Sequence, residues 1–286
     1  MTPDVFWENK SILLDDSLTE ESTDILIDSL VAQQSQHHCL DDDANRLSQS
    51  STMNRIGTGN SMLWVGSRRS GRPPECWRNF DAILNVTENE YSNMHDSILE
   101  YPEQNKRYYL QLPVEEGKRD RKELERWMPV GLVFLIHHLQ QGRRVLVHCA
   151  QGKDRSVGLV LGLVVIASPL TYPLELYLDQ WNIESLLLKT QKNLNSSHDI
   201  RRDHLYLQSG LYTTLVESLL SKEEGQTLFL NWIHEQKGMP TNRSLVTKDS
   251  IRISLHLIQQ DREVADPTRS TMQKINRFFM SASQYR

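Results

Sequence analysis

Residues 145–167 read VLVHCAQGKDRSVGLVLGLVVIA, and this stretch decides the fold. Its first part is a short apolar run ending in His148, which predicts a strand buried on both faces of a mainly parallel sheet. Its last part, from Val157 to Ala167, is apolar all round and predicts a buried helix. A polar loop runs from Cys149 to Arg155 between them. The stretch therefore predicts a strand, a tight loop and a helix at the centre of an α/β domain.

The loop has the residue types that hold a phosphate group. Its backbone N–H groups and the N-terminus of the following helix favour a dianion, and the same field favours the thiolate form of Cys149. Gly152 lies where close approach of a ligand oxygen is easiest without a Cβ. The planar fork of Arg155 can bond two phosphate oxygens, and Ser156 can hydrogen-bond a departing thiolate. The sequence thus predicts Cys149 and Arg155 as catalytic residues, with no metal or cofactor required, and a phosphate-binding set of Ala150, Gln151, Gly152, Lys153, Asp154, Arg155 and Ser156.

Hydrolysis on such a loop also needs an acid that protonates the leaving oxygen. Residues 113–120, PVEEGKRD, follow the third predicted strand and contain two candidates, Glu116 and Asp120. The alternative is a solvated turn in which Asp120 caps the next helix, and the sequence leaves the choice open. Inside the loop, Asp154 is able to orient Arg155, to act on a bound group or to face solvent.

Apolar patterning predicts the other elements of the domain. Residues 62–66, 80–86 and 108–114 are short apolar runs typical of buried strands. Helical periodicity from 124 to 139 predicts a helix in which Pro129 marks a kink or the start. Other helices are predicted at 19–33, 174–190, 202–220, 224–236, 249–260 and 270–282, and residues 34–61 have the polar composition of a linker.

Composition excludes several classes of protein. The formal net charge of -5 argues against a surface that is basic all over, so any RNA contact must be local. The cysteines Cys39, Cys76 and Cys149 form no CxxC and no even set for disulfides, which indicates a reducing, cytoplasmic environment. The acidic N-terminus is unlike a signal peptide, and no apolar run approaches the roughly 20 residues of a membrane span. No membrane contact is expected.

Four motifs resemble the dual-specificity phosphatase domain: LWVGS at 63–67, ILNVTEN at 83–89, YYLQLPV at 108–114 and VLVHCAQGKDRS at 145–156. The resemblance implies an α/β cysteine-phosphatase fold. It also implies a central, mainly parallel sheet flanked by helices, with extra C-terminal helices in this chain. Glu116 stands where these phosphatases usually place an aspartate acid.

A closer resemblance runs from about residue 62 to the end of the chain. ILNVTENEY, LQLPVEEGKRDRKELERW, HCAQGKDRSVG and DPTRSTMQKINRFF resemble the C-terminal region of the initiator-tRNA 2′-O-ribosyl phosphate transferase family. Those enzymes transfer a phosphoribosyl group to a 2′-hydroxyl of initiator tRNA. The resemblance implies phosphoribosyl pyrophosphate as donor substrate, initiator tRNA as partner and an upstream transferase domain. Residues 1–61 are then a remnant of that domain plus a linker, largely disordered, and residues 62–286 are the phosphatase-like domain with its helical extension.

Local basic side chains support the hypothesis that the protein binds RNA. Phosphate contacts of this kind position a nucleic acid without reading its sequence, although ordinary solvated charge explains them equally well. Three hypotheses remain for the loop: the phosphate-binding part of a tRNA-modifying enzyme, a cysteine phosphatase acting through a thiophosphate intermediate, or a non-catalytic phosphate-binding module. The basic candidates are Arg68, Arg69 and Arg72 after the first strand, and Lys118 and Arg119 beside the acid candidates.

Overall fold

The computed structural model describes residues 52–57, 61–102, 106–116, 122–170, 172–179, 181–186, 189, 223–236 and 246–280. The helices predicted at 19–33 and 202–220 lie outside the described residues, as do Lys118, Arg119 and Asp120. All described residues fall in the compact unit Ser50–Arg286.

A five-stranded sheet lies at the centre of this unit. Its strands are β1 (Met53–Arg55), β2 (Leu63–Ser67), β3 (Ala82–Asn85), β4 (Tyr108–Gln111) and β5 (Val145–Cys149). Their spatial order is β1-β2-β5-β3-β4. β1 runs antiparallel to β2, and the other neighbouring pairs are parallel. The predicted α/β fold with a mainly parallel sheet is therefore confirmed.

Helices flank the sheet. They are α1 (Cys76–Asn79), α2 (Met94–Leu99), α3 (Glu123–Gln140), α4 (Arg155–Ala167), α5 (Glu223–Gln236), α6 (Lys248–Asp261) and α7 (Arg269–Met280). Every residue of α4 is buried, as its apolar sequence predicts. A Cβ added at Gly162 of α4 would lie 2.9 Å from the sulfur of Met128 in α3. The two helices therefore pack closely where α4 has no side chain.

Pro129 lies inside α3, which begins at Glu123, so the proline does not mark the helix start. Because proline has no N–H, the carbonyl of Glu125 lacks its usual helical donor. The side chain of Gln226 in α5 donates to that carbonyl instead, with Nε2 3.3 Å from the oxygen. A helix of the C-terminal extension thus supplies the hydrogen-bond donor that Pro129 cannot provide in the core helix α3.

Two stretches differ from the sequence-based expectation. The sheet begins at Met53, within the stretch interpreted as linker, because β1 is a three-residue edge strand too short to show periodicity. The helix predicted at 174–190 appears only from Ile183 onward. Before it, the side chain of Gln140 donates to the carbonyls of Leu178 and Trp181, both at 2.7 Å. Side-chain hydrogen bonds replace helical ones in this segment.

Asp81, just before β3, forms hydrogen bonds to residues next to two neighbouring strands. Its carboxylate accepts hydrogen bonds from the backbone N and the side chain of Arg144, next to β5, and from Nη1 of Arg107, next to β4, at 2.7 to 3.1 Å. Burial alone would raise the pKa of Asp81, but the hydrogen bonds and charges of Arg144 and Arg107 outweigh it and lower the pKa below 3.8. The folded state therefore prefers the ionised form.

Replacing Asp81 by Asn should lower the free energy of unfolding at pH 7 by about 1 to 3 kcal/mol, since charged hydrogen bonds are lost. A depressed folded pKa stabilises the protein above the unfolded pKa, and this stabilisation disappears as the pH falls through the folded value. The difference between wild type and Asp81→Asn in urea unfolding should shrink below pH 3.8. Asp249→Asn, in an exposed pair with Arg252, is the control and should change little. Equal stability of Asp81→Asn and wild type at pH 7 would contradict this role.

Candidate phosphate-binding site

The loop between β5 and α4 lies at the carboxyl edge of the sheet, where open parallel sheets bind ligands. Cys149 ends β5, the strand between β2 and β3, and Arg155 begins α4. The Cys149 side chain is buried. The thiol and the guanidinium therefore lie at the two ends of one short loop.

Two donors converge on the sulfur of Cys149. The backbone N of Gly152 and Oγ of Ser156 each lie 3.2 Å from Sγ. Sulfur that accepts two hydrogen bonds is stabilised as an anion. The structure thus places Ser156 where it can stabilise Cys149 as an attacking or departing thiolate.

Gly152 has a φ of +72°, and the loop passes against β2 at this residue. A Cβ here would lie 2.4 Å from the carbonyl carbon of Gly66 and 2.5 Å from its oxygen. Glycine is required for two reasons. A residue with a side chain disfavours positive φ, and the backbone of Gly66 cannot move away from a Cβ without a large energetic cost.

Arg155 is buried, and its guanidinium is held from one side. Nη1 donates to the carbonyl of Val114 at 2.7 Å and to Oε2 of Glu88 at 3.2 Å. Nη2 lies 3.7 Å from Oε2 of Glu116, beyond hydrogen-bond distance. The Nε and Nη2 edge is therefore the pair of donors suited to two phosphate oxygens. Glu88 was missed by the sequence analysis, although it lies inside the ILNVTENEY motif.

The outer side of the loop bonds to distant parts of the chain. The carbonyl of Ala150 accepts from the backbone N of Arg68 at 3.2 Å. Asp154 forms no side-chain hydrogen bond to Arg155 among the described residues. Its Oδ1 accepts from the backbone N of Thr268 at 2.8 Å, so the side chain does not only face solvent. Two further bonds come from the C-terminal segment: Arg262 Nε to Gly152 O at 2.7 Å, and Asp266 N to Lys153 O at 2.9 Å.

These C-terminal partners were not predicted as site residues. Thr268 and Asp266 begin the DPTRS motif, whose presence alone does not show what it contacts. Arg262 lies 110 residues from Gly152 along the chain, and no local pattern connects them. Only the folded structure brings them together.

The rim of the loop carries the other predicted residues. Gln151 and Lys153 are exposed, and Glu116 is exposed beside Arg155. Arg68 lies with its guanidinium 4.6 Å from the ring centre of Tyr91. Arg69 and Arg72 are exposed just beyond it, in and after a 3₁₀ turn at Arg68–Gly71.

His148, next to the Cys149 thiol, is almost wholly buried. Burial lowers the pKa of its imidazole to about 4, so the ring is neutral at pH 7. Neither ring nitrogen has a hydrogen-bond partner among the described residues. The positive charge near the sulfur therefore comes from guanidinium groups and not from this histidine.

The buried thiol, the glycine turn and the guanidinium at the helix start define a cysteine-phosphatase-like domain. The family model of the Rit1 DUSP-like domain matches residues 108–171 and 207–279. The chain carries a dual-specificity-phosphatase-like domain of the type found in the initiator-tRNA ribosyl phosphate transferase family, as its motifs predicted.

Comparisons with individual proteins gave solved structures only, since no curated protein matches the chain. The Yvh1 phosphatase domain from Chaetomium thermophilum is 15% identical over 78% of this chain and 92% of its own, with a TM-score of 0.41. A leucine rich repeat and phosphatase domain containing protein from Entamoeba histolytica is 9% identical over 82% and 94%, with a TM-score of 0.39. The human tyrosine phosphatase-like serine/threonine/tyrosine-interacting protein is 14% identical over 78% and 95%, with a TM-score of 0.36. No helix among the described residues is long and apolar enough to cross a membrane.

Gly152→Ala should disable the loop, and Gly142→Ala is its matched control. Gly142 also has a positive φ, of +65°, but a Cβ there meets nothing within 4 Å. The control should lose only the cost of a left-handed residue, about 1 to 2 kcal/mol. Gly152→Ala adds a clash with Gly66 and should cost about 3 kcal/mol or more in urea unfolding. It should also abolish binding of tungstate, a phosphate analogue, in calorimetry. Retained tungstate binding by Gly152→Ala would contradict the geometry.

Proposed function

We propose that this loop binds a phosphate group of the tRNA or of the phosphoribosyl donor, and that the domain thereby serves the phosphoribosylation of initiator tRNA. The observation that carries this proposal is the buried Arg155, whose guanidinium is held at Nη1 by Val114 and Glu88, so that Nε and Nη2 are its donors for phosphate oxygens. A buried guanidinium fixed in this way loses little entropy on binding phosphate. The match to the Rit1 DUSP-like domain supports tRNA modification as its use.

Basic side chains adjoin the proposed phosphate site. The backbone N of Arg68 bonds to the loop at Ala150, which places the exposed Arg69 and Arg72 on the neighbouring surface. Such residues suit contacts to RNA phosphates near the loop. Phosphoribosyl pyrophosphate is the proposed donor, an upstream transferase domain the proposed partner, and the cytoplasm the proposed location.

Replacing Arg69 and Arg72 together by Met should weaken binding of initiator tRNA, because two phosphate contacts are lost. The slope of log K against log salt should fall by about 0.7 to 0.9 for each lost contact. Filter binding from 50 to 200 mM salt measures both quantities, and the control is Arg252→Met, which removes an exposed charge from α6.

Unchanged affinity and slope for the double variant would exclude this surface from RNA binding. Absence of tRNA binding by wild type near 150 mM salt, both alone and joined to a transferase domain, would overturn the proposed role in tRNA modification.

A cysteine phosphatase is the second candidate, favoured by the hydrogen bond from Ser156 to the sulfur and by Glu116 near Arg155. In this reaction the Cys149 thiolate attacks phosphorus, the bond from phosphorus to the leaving oxygen breaks, and protonated Glu116 gives that oxygen its proton. The Glu116 carboxylate then takes a proton from water, whose oxygen attacks phosphorus. The sulfur–phosphorus bond breaks, releasing inorganic phosphate and the thiolate.

Phosphate release from an aryl phosphate tests this second candidate. Cys149→Ser should abolish release, and Glu116→Gln should lower kcat by about 10² to 10⁴ for a poor leaving group, since general acid catalysis is lost. Glu115→Gln, at the exposed neighbouring position, is the control and should keep the wild-type rate. An unchanged rate in Cys149→Ser, or no release by folded wild type, would exclude the phosphatase and leave a phosphate-binding loop.

A further inference from the structure

The C-terminal segment from Asp261 to Thr271 lies against the outer side of the phosphate loop. It bonds three consecutive loop residues, two at backbone carbonyls and one at a side chain. Thr271 also packs on α4, since a Cβ added at Gly158 would lie 2.7 Å from its Cγ2. The loop is therefore enclosed between the sheet on one side and this segment on the other.

Arg262 is the one charged side chain of this segment that reaches the loop backbone. It is 1% exposed, and it donates from Nε to the carbonyl of Gly152 at 2.7 Å and from Nη1 to Oδ1 of Asn54 in β1 at 2.5 Å. No carboxylate among the described residues forms an ion pair with it. Burial lowers the pKa of its guanidinium, and the nearby Cys149 offsets only part of this decrease. A buried cation without a carboxylate partner is costly unless an anion lies close to it.

The bond to Gly152 also has a geometric consequence. In a trans peptide the carbonyl and the next N–H point in opposite directions. Fixing the Gly152 carbonyl toward Arg262 turns the N–H of Lys153 toward the inner side of the loop. Asp266 does the same for the N–H of Asp154 by bonding the carbonyl of Lys153. Inward N–H groups of successive residues form a concave anion site.

We propose that Arg262 is a positioning residue and second cation of the phosphate site. It orients the loop N–H groups through Gly152, and its buried charge raises the affinity for dianions. This inference rests on the proposed binding of phosphate by the loop. Arg155 bonds the phosphate oxygens directly, whereas Arg262 acts from behind the loop backbone.

The dependence on anion charge separates this role from simple structural support. Tungstate and perrhenate have the same tetrahedral shape, but tungstate carries two negative charges and perrhenate one. Loss of a nearby buried cation weakens the binding of a dianion more than the binding of a monoanion. If Arg262 had a purely structural role, its replacement would instead weaken the binding of both anions by the same factor.

Calorimetric titration of the full chain with each anion tests the proposal, using wild type, Arg262→Met, Arg262→Lys and the control Arg252→Met. Arg262→Met should bind tungstate about 10-fold to 100-fold more weakly and perrhenate by a clearly smaller factor. Arg262→Lys keeps the charge and should recover part of the tungstate affinity. Arg252→Met removes an exposed charge and should bind like wild type.

Asn54→Ala keeps Arg262 but removes the hydrogen bond that fixes it, and should weaken tungstate binding several-fold. This variant tests the proposal even if circular dichroism shows Arg262→Met to be unfolded. Wild-type tungstate affinity in both Arg262→Met and Asn54→Ala, or equal losses for both anions in Arg262→Met, would overturn the role of Arg262 and leave the phosphate site itself in place. Failure of wild type to bind tungstate would overturn the proposed phosphate site and this inference with it.

Discussion

The turn between β5 and α4 depends on one constraint, which is that buried backbone carbonyls require donors. The loop directs its carbonyls to its outer side, away from the proposed anion site. Arg68, Arg262 and Asp266 supply the donors for these carbonyls. They come from the end of β2 and from the C-terminal segment, so both parts of the chain must pack on the loop before the site is complete. This explains why the extension beyond α4 is integral to the domain.

The same arrangement concentrates positive charge in a protein whose net charge is -5. Arg155 and Arg262 are buried at the loop, and His148 is neutral beside the thiol. Glu88 at Arg155 balances part of this charge and fixes the direction of the guanidinium. In a low-dielectric site of this kind, solvent screens the charge of a buried arginine less than that of an exposed one.

Sequence reasoning predicted the parts of the fold that local pattern determines. The buried strand before Cys149, the buried α4 and the mainly parallel sheet follow from apolar runs. It did not find β1, which is three residues long, or the irregular segment around Leu178, whose backbone bonds to Gln140. Within the candidate site it proposed Gly152, Arg155 and Ser156 by residue type. Glu88 and Arg262 were missed because their roles depend on contacts 67 and 110 residues apart in the chain.

The most direct measurement of the central claim is a crystal structure of the chain grown with millimolar tungstate. We expect a tungstate inside the loop, with its oxygens within hydrogen-bond distance of Nε and Nη2 of Arg155 and of the loop N–H groups, while Nη1 remains on Val114 and Glu88. A loop without tungstate, or tungstate bound only by exposed side chains elsewhere, would contradict the claim that this loop is a phosphate site.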